Sequence, residues 1–363
     1  MIRVAHRDLL TFTTAVFTRR GLPPSRAAEA AEALCHGDLT GTTSHGLANL
    51  TRLYLPLFEA SRVDAAAELE VVRDLGACAA VDAHRALGLW AASAAMDLAA
   101  DRASTHGVGL VSVRNATHIG CAGYHAMRAT RHGMVGVVMS NCGRQRIARP
   151  PGGAVPMLGT NPLSVAVPVS SAPPFVLDMS TTVVPTGRVR AAARAGTDVP
   201  PGWLADDHGT PVTDPAAFDR GDAHLRWLGG DPETGAYKGF GLGIVVEALS
   251  ALLSGAGFGP SAGNGDSDDD TDDDIGLFLL AIAPDRLRPP GTFAADADAL
   301  FTTLLGCPPL DPERPVRYPG WPEAETARKH LRDGIPLPDE LFADLCAVAD
   351  AAGLPAPATL VAA

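Results

Sequence analysis

Apolar positions recur at helical spacing toward both ends of the chain and in short unbroken runs through its middle. The first 68 residues read as helices. The segment "SRAAEAAEALCHGDL" (25–39) opens on Ser25, a candidate N-cap, with Glu29 in its early turns. A second helix is expected over about 46–60, then a short strand and turn over 69–80. "ALGLWAASAAMDLAADRASTHG" (86–107) is strongly helical and closes on Gly107, a candidate C-cap. Four β-branched runs bounded by Gly, Asn and Pro follow: 108–115, 134–141, 162–169 and 174–180. Only the first two are separated by a helical segment, "GCAGYHAMRATRHG" (120–133), so the centre is no regular βαβ repeat.

The second half has a turn-rich loop at 202–215, then "YKGFGLGIVVEALSALLSG" (237–255), a glycine-rich entry into a long helix that reads as buried. A further strand is expected at 275–284, an amphipathic helix at 321–334 and a last helix at about 338–352. No internal repeat stands out. Length, at 363 residues, fits two or three lobes with a sizeable core.

Composition is globular, with 46% hydrophobic and 19% charged residues. The net charge of -12 is concentrated in "GDSDDDTDDD" (265–274), expected as a flexible acidic loop at about 261–274. No basic patch points to nucleic acid. The opening "MIRVAHRDLL" is too polar for a secretory signal, and the longest apolar stretch carries Glu247 and is too short for a bilayer, so no membrane partner is expected. Six scattered cysteines without a CxxC pair fit a reduced, cytoplasmic protein rather than a zinc or disulfide framework. Among 29 basic residues only Lys238 and Lys329 are lysines, which draws attention to Lys238 at a glycine-rich helix start.

Four stretches carry candidate chemistry. Ser44-His45-Gly46 offers either a helix cap or a hydrogen-bonded Ser/His pair able to move a proton near neutral pH. If one helix runs on from it, His45, Asn49 and Arg52 share a face that suits a carbonyl and a carboxylate. In "RNATHIGCAGYHAM", a strand ends in Asn115 and a turn carries His118 into a small-residue helix entry whose backbone N–H groups suit a phosphate or carbonyl oxygen. His118, His125 and His132 are spaced seven apart, two turns, which does not match metal-ligand spacing; no metal is expected. "GTNPLSVAVP" and "LDMSTTVVPTGRV" place small polar residues at strand edges, and Asp178 at a strand end. The glycines at 239, 241 and 243 do not follow a strand and lack the acidic residue expected downstream, so they are not a dinucleotide-binding fingerprint.

In this order the stretches "TSHGL", "RNATHIGCAGYHA", "GTNPLSVAVP", "DMSTTVVPTGRV", "PPGWLADDHGTPVTDP", "YKGFGL" and "YPGWPE" resemble the malate/L-lactate dehydrogenase family that lacks a Rossmann fold. That group includes ureidoglycolate, sulfolactate and 2,3-diketogulonate dehydrogenases and piperideine-2-carboxylate reductases. The resemblance implies an α/β (α+β) protein with a non-Rossmann NAD(P)-binding fold, a mixed and largely antiparallel central sheet, and flanking helical segments. The expected organisation is a helical segment at 1–68, a central cofactor-binding sheet domain at 69–309, and a C-terminal helical segment at 310–363 packing with the first.

The resemblance also implies a homodimer with its active site near the subunit interface. The implied reaction is hydride transfer between NAD or NADP and the C2 position of a small 2-oxo or 2-hydroxy acid. A cyclic imine, a carboxylate-poor ketone, or a repurposed ligand-binding relative are the alternatives. Its implied catalytic residues are His118, His45 and Ser44; Asn49, Arg52 and Thr160 would face substrate. His118, Gly120, Ser140, Thr160, Asn161, Asp178, Met179, Ser180, Lys238, Pro319 and Gly320 would face cofactor. Three positions depart from the family pattern: Asn49 stands where an arginine is common, Arg188 where a lysine is common, and Leu277 where a histidine is often found. The cofactor side therefore reads as kept and the substrate side as altered.

Overall fold

The computed structural model describes residues 1–262 and 274–360. Strand β1 (Ile2–Val4) leads into helices α1 (His6–Arg19) and α2 (Pro24–Thr40), which pack on each other through Leu9, Phe12, Val16 and Phe17 on one side and alanines on the other. The N-cap of α2 is Pro23 rather than Ser25: proline's fixed φ starts the helix two residues earlier and leaves Ser25 inside the first turn. The helix expected over 46–60 is interrupted. A 3₁₀ turn spans Thr43–His45, a π turn spans Leu50–Tyr54, and only α3 (Leu55–Glu59) is regular.

The single strand expected over 69–80 is a hairpin, β2 (Glu70–Asp74) with β3 (Cys78–Asp82). Helix α4 (Gly88–His106) ends, as read from the sequence, on a left-handed Gly107 at φ +82°. Strand β4 (Val108–Ala116), helix α5 (Ala122–Thr130), β5 (Val135–Ser140), β6 (Leu163–Val167) and β7 (Phe175–Met179) follow within a few residues of their expected places.

Residues 186–225, which contain the turn-rich loop expected at 202–215, form a small lobe. Helix α6 (Thr186–Ala195), β8 (Leu204–Ala205), β9 (Pro211–Val212), α7 (Ala216–Arg220) and β10 (His224–Leu225) close on a core of Val184, Val189, Leu204 and Leu225. Its strands are two residues each, below the length at which a sequence pattern declares itself.

Helix α8 (Ala236–Glu247) continues as a π turn over Ala248–Leu252. It is not the buried helix its composition suggested, because Tyr237, Ile244, Val245, Leu252 and Leu253 face solvent. The acidic run lies outside the described residues apart from Asp274. Strand β11 (Ile275–Ile282), short helix α9 (Pro284–Leu287), α10 (Thr292–Leu305), α11 (Trp321–Asp333), β12 (Ile335–Leu337) and α12 (Asp339–Ala352) complete the chain.

The central sheet runs β2-β3-β4-β11-β5-β6-β7, and β3–β4 is its one parallel pair. This mixed, mainly antiparallel order is not a doubly wound dinucleotide fold. Helix α4 lies on β4 and β11, α5 lies on β5 and β6, and α2 covers both helices. The two ends of the chain meet where β1 pairs antiparallel with β12 and α11 packs on α2. That meeting carries the Ser-His turn at the end of α2 and the Pro-Gly turn before α11 to the rim of the sheet.

Candidate active site

The Ser-His turn is seated on α2 by a close backbone contact. A Cβ on Gly46 would fall 2.2 Å from Asp38 Oδ2, and one on Gly37 would fall 2.8 Å from the Gly46 Cα. Only glycine fits at both places. Asp38 is 2% exposed, and its Oδ2 accepts the Leu47 N–H at 2.6 Å. Burial pushes its carboxyl up to about 7, against the pull of the backbone N–H bonds it accepts. Because Gly46 is extended (φ −97°, ψ −153°), His45 does not share a helical face with Asn49 and Arg52. Asn49 instead donates from Nδ2 to the Ser44 carbonyl at 3.0 Å, and Arg52 is exposed, its charge felt by Arg194. Neither lines the cleft described below.

Ser44 Oγ and His45 Nδ1 lie 2.9 Å apart, the hydrogen-bonded pair expected from their adjacency. The other imidazole arrives from the end of β4. Thr117 Oγ1 donates to the Ala86 carbonyl at 3.1 Å and accepts the Gly88 N–H at 2.9 Å, which pins the turn beneath His118. The Gly120 N–H donates to His118 Nδ1 at 3.1 Å, and the Tyr54 hydroxyl lies 2.9 Å from the same nitrogen. A backbone N–H can only donate, so the neutral ring carries its proton on Nε2. The two imidazoles stack, with centroids 5.9 Å apart and planes within 16°. Loss of hydration, and then His118, push His45 down to about 4.

Tyr54 was not singled out in the sequence. The π turn at Leu50–Tyr54 rotates this tyrosine onto His118; such turns recur at functional sites. The histidine series at 118, 125 and 132 does not converge. His125 is fully buried, donates from Nε2 to the Ile119 carbonyl at 2.8 Å and meets Ser93 Oγ at 3.0 Å through Nδ1, while His132 is exposed. No group of three metal-ligating side chains exists among the described residues.

Both imidazoles open into a cleft of about 600 Å³ between the Ser-His turn, the α5 entry, β5, β7 and the start of α11. Ser44, His45, His118, Gly120, Ser140, Thr160, Asp178, Met179, Ser180, Pro319 and Gly320 all line it, so eleven expected residues from six segments meet. Two expected cofactor residues do not line it. Asn161 is fully buried at φ +42° and turns its Nδ2 away, to the Gly243 carbonyl at 2.9 Å and Glu247 Oε2 at 2.6 Å. Lys238 is exposed in the first turn of α8, beside the Tyr237 ring. Leu277, the departure in the late strand, is fully buried in β11 and not on the cleft wall.

Another part of the cleft wall is acidic. Asp178 Oδ2 accepts the Gly123 N–H at 2.7 Å, and Glu323 Oε2 accepts the Gly320 N–H at 3.1 Å. The chain's own carboxylates thus occupy the first turns of α5 and α11 that face the cleft. The α5 entry is therefore no open anion cradle, contrary to the expectation from its small residues. Solvent reaches Asp178 through the cleft, yet the surrounding protein pushes its carboxyl up to about 6, and Glu323 adds to the rise.

Residues 4–346 match the family model described as malate/L-lactate dehydrogenase. The chain belongs to the malate/L-lactate dehydrogenase family. A malate dehydrogenase of Pyrococcus horikoshii is 37% identical over 255 residues, covering 70% of this chain and 69% of that protein. A (2R)-3-sulfolactate dehydrogenase (NADP(+)) of Chromohalobacter salexigens is 30% identical, covering 95% and 98%. The crystal structure of malate dehydrogenase from Entamoeba histolytica superposes with a TM-score of 0.89 at 27% identity, covering 98% of this chain and 99% of that one. As a member of the malate/L-lactate dehydrogenase family, the chain is an oxidoreductase acting on CH–OH groups. The mixed sheet and flanking helices expected from the resemblance are those of the family's solved structures.

Proposed function

We propose that the protein transfers hydride between a nicotinamide dinucleotide and C2 of a small 2-oxo or 2-hydroxy acid, with His118 moving the proton. The observation that carries this reading is the stacking of His45 and His118, from separate segments, on one wall of the cleft. The rest of the cleft suits a dinucleotide. Backbone at Gly120 and Gly320 comes to its surface, Ser140, Thr160 and Ser180 offer hydroxyls, and Asp178 offers an acceptor for ribose or carboxamide groups. When bound, the nicotinamide supplies or accepts the hydride.

The chain's own residues handle the charge that follows. In reduction, a proton must reach the carbonyl oxygen as negative charge grows there. Two stacked imidazoles do not both hold a positive charge, and burial keeps His45 neutral near pH 7. His118 is left as the proton donor. In the neutral ring Nδ1 accepts from the Gly120 N–H and the Tyr54 hydroxyl; when Nδ1 gains the second proton the Gly120 bond is given up and the Tyr54 oxygen turns from donor to acceptor. Neutral His45, held by Ser44, supplies a hydrogen bond to the same oxygen.

The six free cysteines fit a reducing compartment, and we place the protein in the cytoplasm as a homodimer. Tyr237, Ile244, Val245 and Leu252 on α8 and its π turn form the apolar surface a second copy would cover. Light scattering reads the mass, and I244E should shift it toward one chain.

Fluorescence titration with NADH and NADPH, followed by a turnover screen of 2-oxo acids and cyclic imines, tests the function. Binding of a nicotinamide with turnover of at least one 2-oxo acid is expected. Binding with turnover of imines alone, or of nothing, overturns the assignment.

A further inference from the structure

Asn49 and Arg52 leave the cleft without the carboxylate clamp their spacing suggested, so the cation for an acidic substrate must come from elsewhere. Arg188 is the one lysine or arginine among the described residues that line the cleft. It sits in the first turn of α6, and the preceding Gly187 presses on the catalytic turn: a Cβ there would lie 3.1 Å from Ser44 Cβ. The same helix gives a contrast. Arg190 is matched by Asp219, with Nη2 to Oδ1 at 2.9 Å, whereas no carboxylate lies within ion-pair distance of Arg188 among the described residues. The two carboxylates on the wall, Asp178 and Glu323, are engaged by the Gly123 and Gly320 N–H groups.

We propose that Arg188 holds the substrate's carboxylate beside the Ser44–His45 pair, in place of the arginine the family pattern puts at position 49. This rests on the hydride-transfer reading above and narrows its substrate. The acid group must adjoin the reacting carbonyl, because Arg188 lines the cleft from the first turn of α6, which packs through Gly187 on the turn that carries His45. A planar guanidinium takes a carboxylate through two parallel N–H bonds, which fixes the plane of the 2-oxo acid as well as its place. An ammonium in the same position would fix the place but not the plane.

The test uses R188Q and R188K in the full-length protein, with oxamate and oxalate as non-reducible 2-oxo acid mimics titrated into the NADH complex. R188Q should weaken oxamate binding roughly 10- to 100-fold while the nicotinamide dissociation constant stays within twofold. With pyruvate and pyruvamide as paired substrates, the parent should prefer the acid and R188Q should lose that preference by the same factor. R188K should recover part of the binding and less of the turnover. Arg188 is exposed, so all three proteins should melt together.

An R188Q protein with unchanged oxamate affinity and an unchanged acid-to-amide ratio overturns the inference. So does a loss confined to nicotinamide affinity, which would make Arg188 a cofactor residue, and so does a parent that binds neither mimic. A parent that binds the mimics but reduces no acid leaves Arg188 standing and removes the hydride-transfer reading instead.

Discussion

Two parts of the cleft wall are built from opposite materials. On one, two imidazoles stack against each other, and Arg188, whose neighbour Gly187 packs on the Ser44 turn, also lines the cleft; on the other, Asp178 and Glu323 accept N–H groups at the starts of α5 and α11. The imidazoles can take or give a proton. The carboxylates can only accept hydrogen bonds while ionised, and they repel phosphate. The same backbone device, a helix start facing the ligand, is filled by the chain's own carboxylate on both α5 and α11.

Substitutions should break this contrast in a definite order. His118→Ala should lower kcat by about 10²- to 10⁴-fold and leave nicotinamide affinity near the parent value, as read by steady-state rates and a fluorescence titration. Retention of most of kcat would remove His118 from proton transfer. Next, Gly46→Ala drives a methyl into the Asp38 carboxylate and should cost about 2–4 kcal/mol in urea unfolding, with kcat falling alongside as His45 leaves its place. On the acidic wall, Asp178→Asn should raise the nicotinamide dissociation constant about tenfold with kcat little changed. A loss in kcat alone would show that Asp178 and the imidazoles are not functionally separate.

The smallest effect is a slope. Burial raises Asp38 from its ordinary value of 3.8 to about 7, so the folded state holds this proton more tightly than the unfolded chain. Its contribution to stability is therefore greatest below about pH 4, declines as pH rises toward 7, and is flat beyond. His125 runs the other way. Burial lowers it from 6.5 to about 4, so it costs stability as pH falls through that window, by roughly 3 kcal/mol when complete. Asp38→Asn keeps an acceptor for the Leu47 N–H and removes only the first slope. Its melting temperature relative to the parent should climb between pH 4 and pH 7; a constant offset would show that Asp38 does not titrate there.

Much of the sheet was legible along the chain. The runs read at 108–115, 134–141, 162–169, 174–180 and 275–284 are short, apolar and bounded by turn residues, and each holds a strand, at 108–116, 135–140, 163–167, 175–179 and 275–282. Ser44 and His45 were readable as a pair because adjacency alone brings a hydroxyl to Nδ1. The reading of His45, Asn49 and Arg52 as one face failed for a local reason. It assumed an unbroken helix, and the seat of Gly46 on Asp38 breaks it. Asn161 and Lys238 do not line the cleft for a tertiary reason: Asn161 turns into the protein toward Gly243 and Glu247, and Lys238 stands exposed beside Tyr237, neither of which neighbours along the chain could announce. Tyr54 was invisible because a π turn adds one residue to a helix without changing its composition.

The sequence by itself determined which segments are strands, which glycines permit close approach, and which imidazoles and carboxylates exist to be used. Those are properties of neighbours along the chain, where sterics and side-chain spacing act directly. Only the tertiary structure decided that His118 meets His45, that Arg188 and not Arg52 reaches the cleft, and that Asp178 caps α5. These meetings join residues tens to hundreds of positions apart. They depend on how helices and sheet pack, and no local pattern encodes that.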